Sequence, residues 1–125
     1  MGKILVVDDS DSARSEICKY LEEAGHTTVS AGNGSLGLEA YKKETDLDLI
    51  VSDINMPVMD GITMSEEIQK VTDRKAPPII IVTTESDKAL KERGKKAGVL
   101  VWVIKPINPQ NFVNVVGQII EKFSK

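Results

Sequence analysis

The sequence predicts a (βα)5 α/β domain, a doubly wound parallel five-stranded sheet with strand order 2-1-3-4-5. Short runs such as 4–7, 49–51, 79–82 and 101–104 are continuously apolar. They lack the alternation of a half-solvated sheet, which marks strands buried on both faces. Stretches of helical periodicity separate them, and that alternation builds a parallel sheet with helices on both sides. A length of 125 residues suits one core and leaves no room for a second domain. Right-handed crossovers then leave few topologies.

In chain order, residues 3–7 read as the first strand. Over residues 10–24, Ala13, Ile17, Leu21 and Ala24 fall on one helix face. Ser10 or Ser12 caps that helix and Gly25 closes it. A weaker strand at 27–31 runs into the turn Gly32-Asn33-Gly34 and a helix at 35–44, disfavoured by Gly37. The third strand is 48–52 and the third helix 61–72. Pro77-Pro78 introduces a fourth strand at 79–82. The helix at 87–97 is poor, because Gly94 inside it costs about 1 kcal/mol relative to alanine. A fifth strand at 101–104 precedes a last helix, which Asn108 caps with Pro109 at its first position. Val113, Val116 and Ile120 form the expected inner face of that helix.

Several function classes are excluded early. The longest apolar runs, 77–82 and 99–104, fall far short of the roughly 20 residues of a membrane span. Met1-Gly2-Lys3 leads straight into a strand, so no signal peptide is expected, and Val6 stands where a myristoylation motif wants serine or threonine. The one cysteine, Cys18, permits no internal disulfide, reads as a small buried helix residue and fits a reducing cytoplasm. A net charge of −3 argues against nucleic-acid binding. His26 is expected at a strand start without a function of its own.

Ligands of such sheets bind outside the carboxyl ends of the strands. Strand one ends in Asp8-Asp9, strand three in Asp53, strand four in Thr83-Thr84 and strand five in Lys105-Pro106. Strand two ends in Ala31-Gly32, which offers no side-chain chemistry, and the order 2-1-3-4-5 leaves it at the edge while gathering the other four. Three carboxylates close together repel, so a proton or a cation must neutralise them. An all-oxygen site with open positions suits Mg2+. Lys105 adds a compact positive charge and Thr83 a hydroxyl. Together these stabilise a phosphoryl group in transfer, with Asp53 as the nucleophile that forms an aspartyl phosphate. Each residue alone has an ordinary reading, as helix-start acids, a satisfied strand-end threonine, a solvated lysine or a turn aspartate. Their coincidence at one sheet edge favours the functional one.

With these residues in place, the chain resembles the receiver domain of two-component response regulators over essentially its whole length. The matching residues are Val6-Val7-Asp8-Asp9-Ser10, Asp53-Ile54-Asn55-Met56-Pro57-Val58-Met59-Asp60-Gly61, Val82-Thr83-Thr84-Glu85 and Lys105-Pro106. Thr84-Glu85 and the stretch 94–109 look like the single-domain chemotaxis (CheY-like) branch. The resemblance implies a flavodoxin-like fold and a single receiver domain over 1–125 without an output domain. It implies that Asp53 is the phosphoacceptor, charged by a CheA-like sensor histidine kinase. Asp9, Asp53 and the Asn55 backbone carbonyl would ligate Mg2+ directly, and Asp8 would hold a metal water. Lys105 would pair with the acceptor and the phosphoryl oxygen, across a cis bond to Pro106. Thr83 would turn toward the phosphoryl group, followed inward by the switch aromatic, here Trp102. The amide of Asn55 implies a phosphate kept for a while.

The implied output is a surface of the fourth helix, fifth strand and fifth helix, read by a flagellar motor switch protein or another phosphorylation-dependent partner. A phosphatase is a further expected partner; nucleic acid and membrane are not, and the expected state is a monomer. The weak helix 87–97 is the expected switching element. Its Lys88, Lys91, Arg93, Lys95 and Lys96 are either a solvated face or a footprint for an acidic partner. Val99 and Val101 stand where the family has small residues, Trp102 where tyrosine or phenylalanine is usual, and Ile107 where phenylalanine is common.

Such a protein catalyses its own phosphorylation and dephosphorylation without being a conventional enzyme. One alternative is a single-domain phosphorelay carrier that passes phosphate to a histidine phosphotransfer domain. An aspartate-nucleophile phosphatase is disfavoured, because Asn55 cannot act as acid or base. A nucleotide-binding module needs a glycine-rich turn after strand one, and Asp8-Asp9-Ser10 has none.

Overall fold

A computed structural model describes residues 2–123. The elements are β1 (Lys3–Val7), α1 (Asp11–Glu23), β2 (Thr27–Ala31), α2 (Gly34–Lys43), β3 (Leu49–Ser52), α3 (Gly61–Gln69), β4 (Ile79–Thr83), α4 (Lys88–Lys96), β5 (Val99–Ile104) and α5 (Pro109–Phe123). The strands pair in parallel in the order β2-β1-β3-β4-β5, as predicted. No helix among the described residues is long and apolar enough to cross a membrane.

The central strands are apolar throughout because both their faces are covered. Successive side chains point to opposite sides of a strand. Ile4 and Val6 of β1 therefore join Val51, Ile80 and Val82 beneath Ile17 and Leu21 of α1 and Phe112 and Val116 of α5. Leu5 and Val7 join Ile50, Ile79 and Ile81 on the other face, against Tyr41 of α2 and Ile62, Met64 and Ile68 of α3. α4 is a thin cover over the β5 side, and Gly94 is its one fully buried residue.

Every helix opens on a side chain that accepts one of its free amide groups: Ser10, Asn33, Asp60, Asp87 and Asn108. Gly25, at φ 97°, closes α1 in the left-handed conformation that glycine adopts without strain.

Several boundaries differ from the sequence pattern. α3 ends at Gln69 because the Lys70 and Val71 amides bond back to Glu67 and Ile68, the tightened closing turn of a helix. β4 runs on to Thr83, and β5 starts at Val99, which pairs with Ile79 across a register shift. Asp48 lies just outside β3, where Oδ2 accepts the Lys3 N–H at 2.9 Å. On α5 the buried residues are Phe112, Val116, Ile119 and Ile120, so the inner face is turned from the expected one and Val113 is half-buried. Cys18 is half-buried too, and burial is the main cause of a thiol pKa above its ordinary value. His26 has a structural bond, its Nδ1 accepting the Gly2 N–H at 3.1 Å. Beside it, Lys3 pairs with Glu44 and Asp46 and fastens the connection between α2 and β3 to the start of β1.

Gly37 weakens α2 on paper but not in place. A Cβ there would lie 2.6 Å from Met64 Sδ and 3.0 Å from Val7 Cγ2, so α2 reaches α3 and the sheet only with no side chain at this point. Alanine would gain about 1 kcal/mol of helix propensity, against about 1–3 kcal/mol for overpacking. Gly37→Ala is therefore expected to lower stability by up to about 2 kcal/mol in urea unfolding with an unchanged m-value; a more stable variant would show that the contact relaxes freely.

Candidate functional site

The strand register carries the polar residues to one edge. Asp8 donates its N–H to Ala31 O at 3.1 Å, Asp53 to Val7 O at 3.0 Å and Lys105 to Thr83 O at 2.9 Å. Each bond is one further rung of the ladder beyond the apolar run, so each functional residue stands one step outside the core. Asp8 and Asp53 flank the point between β1 and β3 where the strand order reverses, the usual crevice of such sheets.

Across that crevice, Lys105 Nζ donates to Asp53 Oδ2 at 2.8 Å and approaches Asp8 Oδ2 at 3.3 Å. The side chains are largely withdrawn from solvent, Asp8 at 3% exposure, Asp53 at 14% and Lys105 at 24%. Burial is the largest single influence on Lys105 and pushes its pKa down. The bonds and charges of Asp53 and Asp8 together outweigh it, so the pKa lies above its ordinary 10.5. The remaining oxygens are also engaged: Asp53 Oδ1 accepts the Ile54 N–H at 2.6 Å, and Asp8 Oδ1 the Ser10 N–H at 2.9 Å.

The backbone of Asp53 is fixed as firmly as its side chain. Ser52 Oγ donates to Asp53 O at 2.7 Å, and a Cβ at Gly61 would stand 2.0 Å from that same oxygen. Only glycine lets the start of α3 approach so closely. Between them Val58, 83% exposed, sits at φ 71°, an uncommon and costly conformation for a β-branched residue. The Met59 N–H to Pro57 O bond and the Gly34 N–H to Met59 O bond hold the loop in that shape.

Asp9 is exposed and carries no hydrogen bond or ion pair among the described residues. Among those residues no group of three or more histidine, cysteine, aspartate or glutamate side chains is placed to hold a metal ion. Lys105 offsets one of the two charges of Asp8 and Asp53, which leaves the crevice net negative. The donor chemistry still fits Mg2+, which takes one or two carboxylates and keeps several waters.

Thr83 is fully buried at the end of β4, and its hydroxyl accepts the Glu85 N–H at 3.2 Å. Trp102 is half-buried on β5 and donates Nε1–H to Glu85 O at 2.9 Å. Its ring edge packs on Gly94, where a Cβ would stand 3.1 Å from Cζ3. Sequence reasoning gave no role to Glu85, yet its carboxylate accepts from Asn55 Nδ2 at 2.9 Å. The β4–α4 loop is thereby tied both to the loop after Asp53 and to the tryptophan. Arg14 was also missed. It donates to Asp8 O and to Asp11, each at 2.6 Å, and braces the acidic turn from α1. Arg14 and Asp11 stand at the i, i+3 spacing of a helix face, a signal the sequence does carry. The Asn55–Glu85 bond joins segments 30 residues apart and is exposed only by tertiary structure. The Lys105–Pro106 bond is cis, as expected.

A lysine with a raised folded pKa stabilises fully below its unfolded value and loses that contribution as pH climbs through the folded one. As pH rises through the ordinary lysine pKa of 10.5 and above it, wild-type stability should therefore fall more steeply than that of Lys105→Met. The other raised lysines, Lys3 and Lys70, are common to both proteins and cancel in the comparison. Parallel urea-unfolding curves would show that the ammonium contributes nothing across the crevice.

A family model described as the response regulator receiver domain matches residues 4–117. The protein PilH of Pseudomonas aeruginosa is 30% identical over 120 residues, 96% of this chain and 98% of that protein. A chemotaxis protein CheY homolog of Campylobacter jejuni is 37% identical over 109 residues, 86% of this chain and 84% of that one. Among solved structures, the chemotaxis protein CheY4 of Vibrio cholerae superposes with a TM-score of 0.88 at 34% identity, covering 95% of this chain and 98% of its own. A paired acid and lysine at the switch point, on a sheet of this order, with a family match over nearly the whole length, leave one assignment: the chain belongs to the CheY-like response regulator receiver domains.

Proposed function

We propose that this receiver is a phosphorylation-dependent switch in which Asp53 takes a phosphoryl group from a histidine kinase and the α4–β5–α5 surface then changes what it binds. The observation that supports this most is the Lys105 ammonium, 2.8 Å from Asp53 at the mouth of the crevice. A carboxylate oxygen of Asp53 attacks phosphorus, the donor's P–N bond breaks, and the imidazole leaves with the electron pair. Lys105, already desolvated and oriented, then faces the added negative charge without reorganising. Asp9, Asp53 and the Asn55 carbonyl, with Asp8 through a water, would hold Mg2+, which would supply further positive charge for the phosphoryl oxygens. Thr83 offers its hydroxyl to the same group. Asn55 is an amide and no acid or base, so it does not expel the phosphate quickly. The protein is a signalling component more than a turnover enzyme.

For the output we favour a chemotaxis role with the flagellar motor switch as partner, supported by the chemotaxis proteins among the relatives. The α4–β5 side presents exposed Leu100 in a groove with Lys91 and Lys95, a surface suited to an acidic partner with an apolar anchor. This reading puts the protein in the cytoplasm as a monomer. Capture of histidine phosphotransfer domains in place of a motor switch protein, with and without beryllofluoride, would replace the motor role by a phosphorelay role.

The lone tryptophan reports the switch. Magnesium and then beryllofluoride are expected to change Trp102 fluorescence in two steps, with Asp53→Asn abolishing the second. Lys105→Ala should still accept phosphate but no longer pass the change to a partner. An unresponsive wild-type signal, or normal coupling in the lysine variant, would contradict the mechanism.

A further inference from the structure

Little apolar contact holds α4 in place. It is nine residues long, carries a glycine at its one fully buried position, and has Leu90 half-buried. What fixes its middle is polar. Arg93 sets its guanidinium against Glu66 of α3, Nε on Oε2 at 3.1 Å and Nη2 on Oε1 at 2.9 Å, a two-pronged bond that specifies orientation as well as distance. Nη2 also reaches Thr63 Oγ1 at 3.3 Å. That hydroxyl donates to Asp60 Oδ2 at 3.0 Å, while Asp60 Oδ1 caps α3 through the Thr63 N–H at 2.8 Å. α3 in turn begins against the Asp53 carbonyl, with the Gly61 N–H bonded to Ile54 O at 3.0 Å. An unbroken run of hydrogen bonds therefore joins the loop after Asp53 to the centre of α4 through α3. It is separate from the route through Asn55, Glu85 and Trp102.

We propose that Arg93, Glu66 and Thr63 form a latch that keeps the partner-facing helix in its unphosphorylated placement until the acceptor loop moves. The reading of Asp53 as phosphoacceptor underlies this. Arg93 differs in kind from the other basic residues of α4. Its charge is committed within the molecule, while Lys91 and Lys95 line an open groove toward β5. The Arg93 bond is the main cause of the lowered Glu66 pKa, and the Glu66 bond the main cause of the raised Arg93 pKa. A contact present in one of two states biases the equilibrium by its own free energy, and the bias is reciprocal with ligand binding. The pair is partly exposed, 47% for Arg93 and 38% for Glu66, so its leverage is that of a surface ion pair, roughly three-fold in an equilibrium constant. That is enough to tune a switch without locking it.

The test titrates beryllofluoride into the magnesium-loaded protein and reads Trp102 fluorescence, for wild type, Arg93→Ala, Glu66→Gln and the doubly exchanged Glu66→Arg/Arg93→Glu. Amide hydrogen exchange across residues 88–96 is measured on the same four proteins without beryllofluoride. The latch predicts that both single variants half-saturate at roughly three-fold lower beryllofluoride and exchange faster in α4. The exchanged pair should recover most of both effects. If wild type responds and Arg93→Ala titrates at the same or a higher concentration, the latch is refuted while Asp53 keeps its role. If wild type does not respond at all, the phosphoacceptor reading has failed, and unchanged α4 exchange in Arg93→Ala would refute the latch as well.

Discussion

Lys105 and Asp53 lie 52 residues apart in the chain and 2.8 Å apart in the fold. A sheet places such distant residues together only if every strand between them has the right length and register. β1, β3, β4 and β5 each run apolar until the last rung, and then the chain emits an acid, an acid, a threonine and a lysine. A shift of one residue in any strand would send that residue to the opposite face and bury a charge in the core. The ammonium among the carboxylates is thus both a consequence of the register and a check on it. It also means that one of the carboxylate charges is offset within the protein itself.

The two sides of the domain are held in different ways. Near β1 and β3 the contacts are apolar and close, down to Gly37 and Gly61, where a single methyl group would collide with its neighbours. Around α4 they are polar and few: Asn55 to Glu85, Glu85 to Trp102, Arg93 to Glu66. Hydrogen bonds and exposed ion pairs contribute about 1 kcal/mol or less each, and such contacts exchange readily. Rigidity is concentrated where chemistry must be aligned, and looseness where a surface must change.

Much of this was legible in the sequence, because buried parallel strands write themselves as apolar runs and strand-end chemistry follows directly. Asp8, Asp53, Thr83 and Lys105 stand at the edge where the strand ends put them. The pattern was less informative where tertiary contact overrides it. Gly37 reads as a helix breaker and turns out to be a packing requirement. Val99 belongs to β5 through a register shift that no periodicity reveals. The early end of α3 comes from its own backbone bonds and not from a breaker residue. Glu85 and Arg93 show in the sequence only as a motif residue and a basic helix residue; their bonds to Asn55 and Glu66 come from segments brought close by folding.

The contact between Gly94 and Trp102 has an evolutionary side. An indole on β5 fits under α4 because the helix offers no side chain there, with 3.1 Å between Cζ3 and the position a Cβ would take. A larger residue at 94 would press on the ring, and a smaller aromatic at 102 would leave a gap beneath a helix that already packs thinly. Neither position can drift far alone without cost, so descendants of this sequence should change the two together. Substitutions at one would then be tolerated or harmful according to the history of the other, a case of epistasis written into a single van der Waals contact.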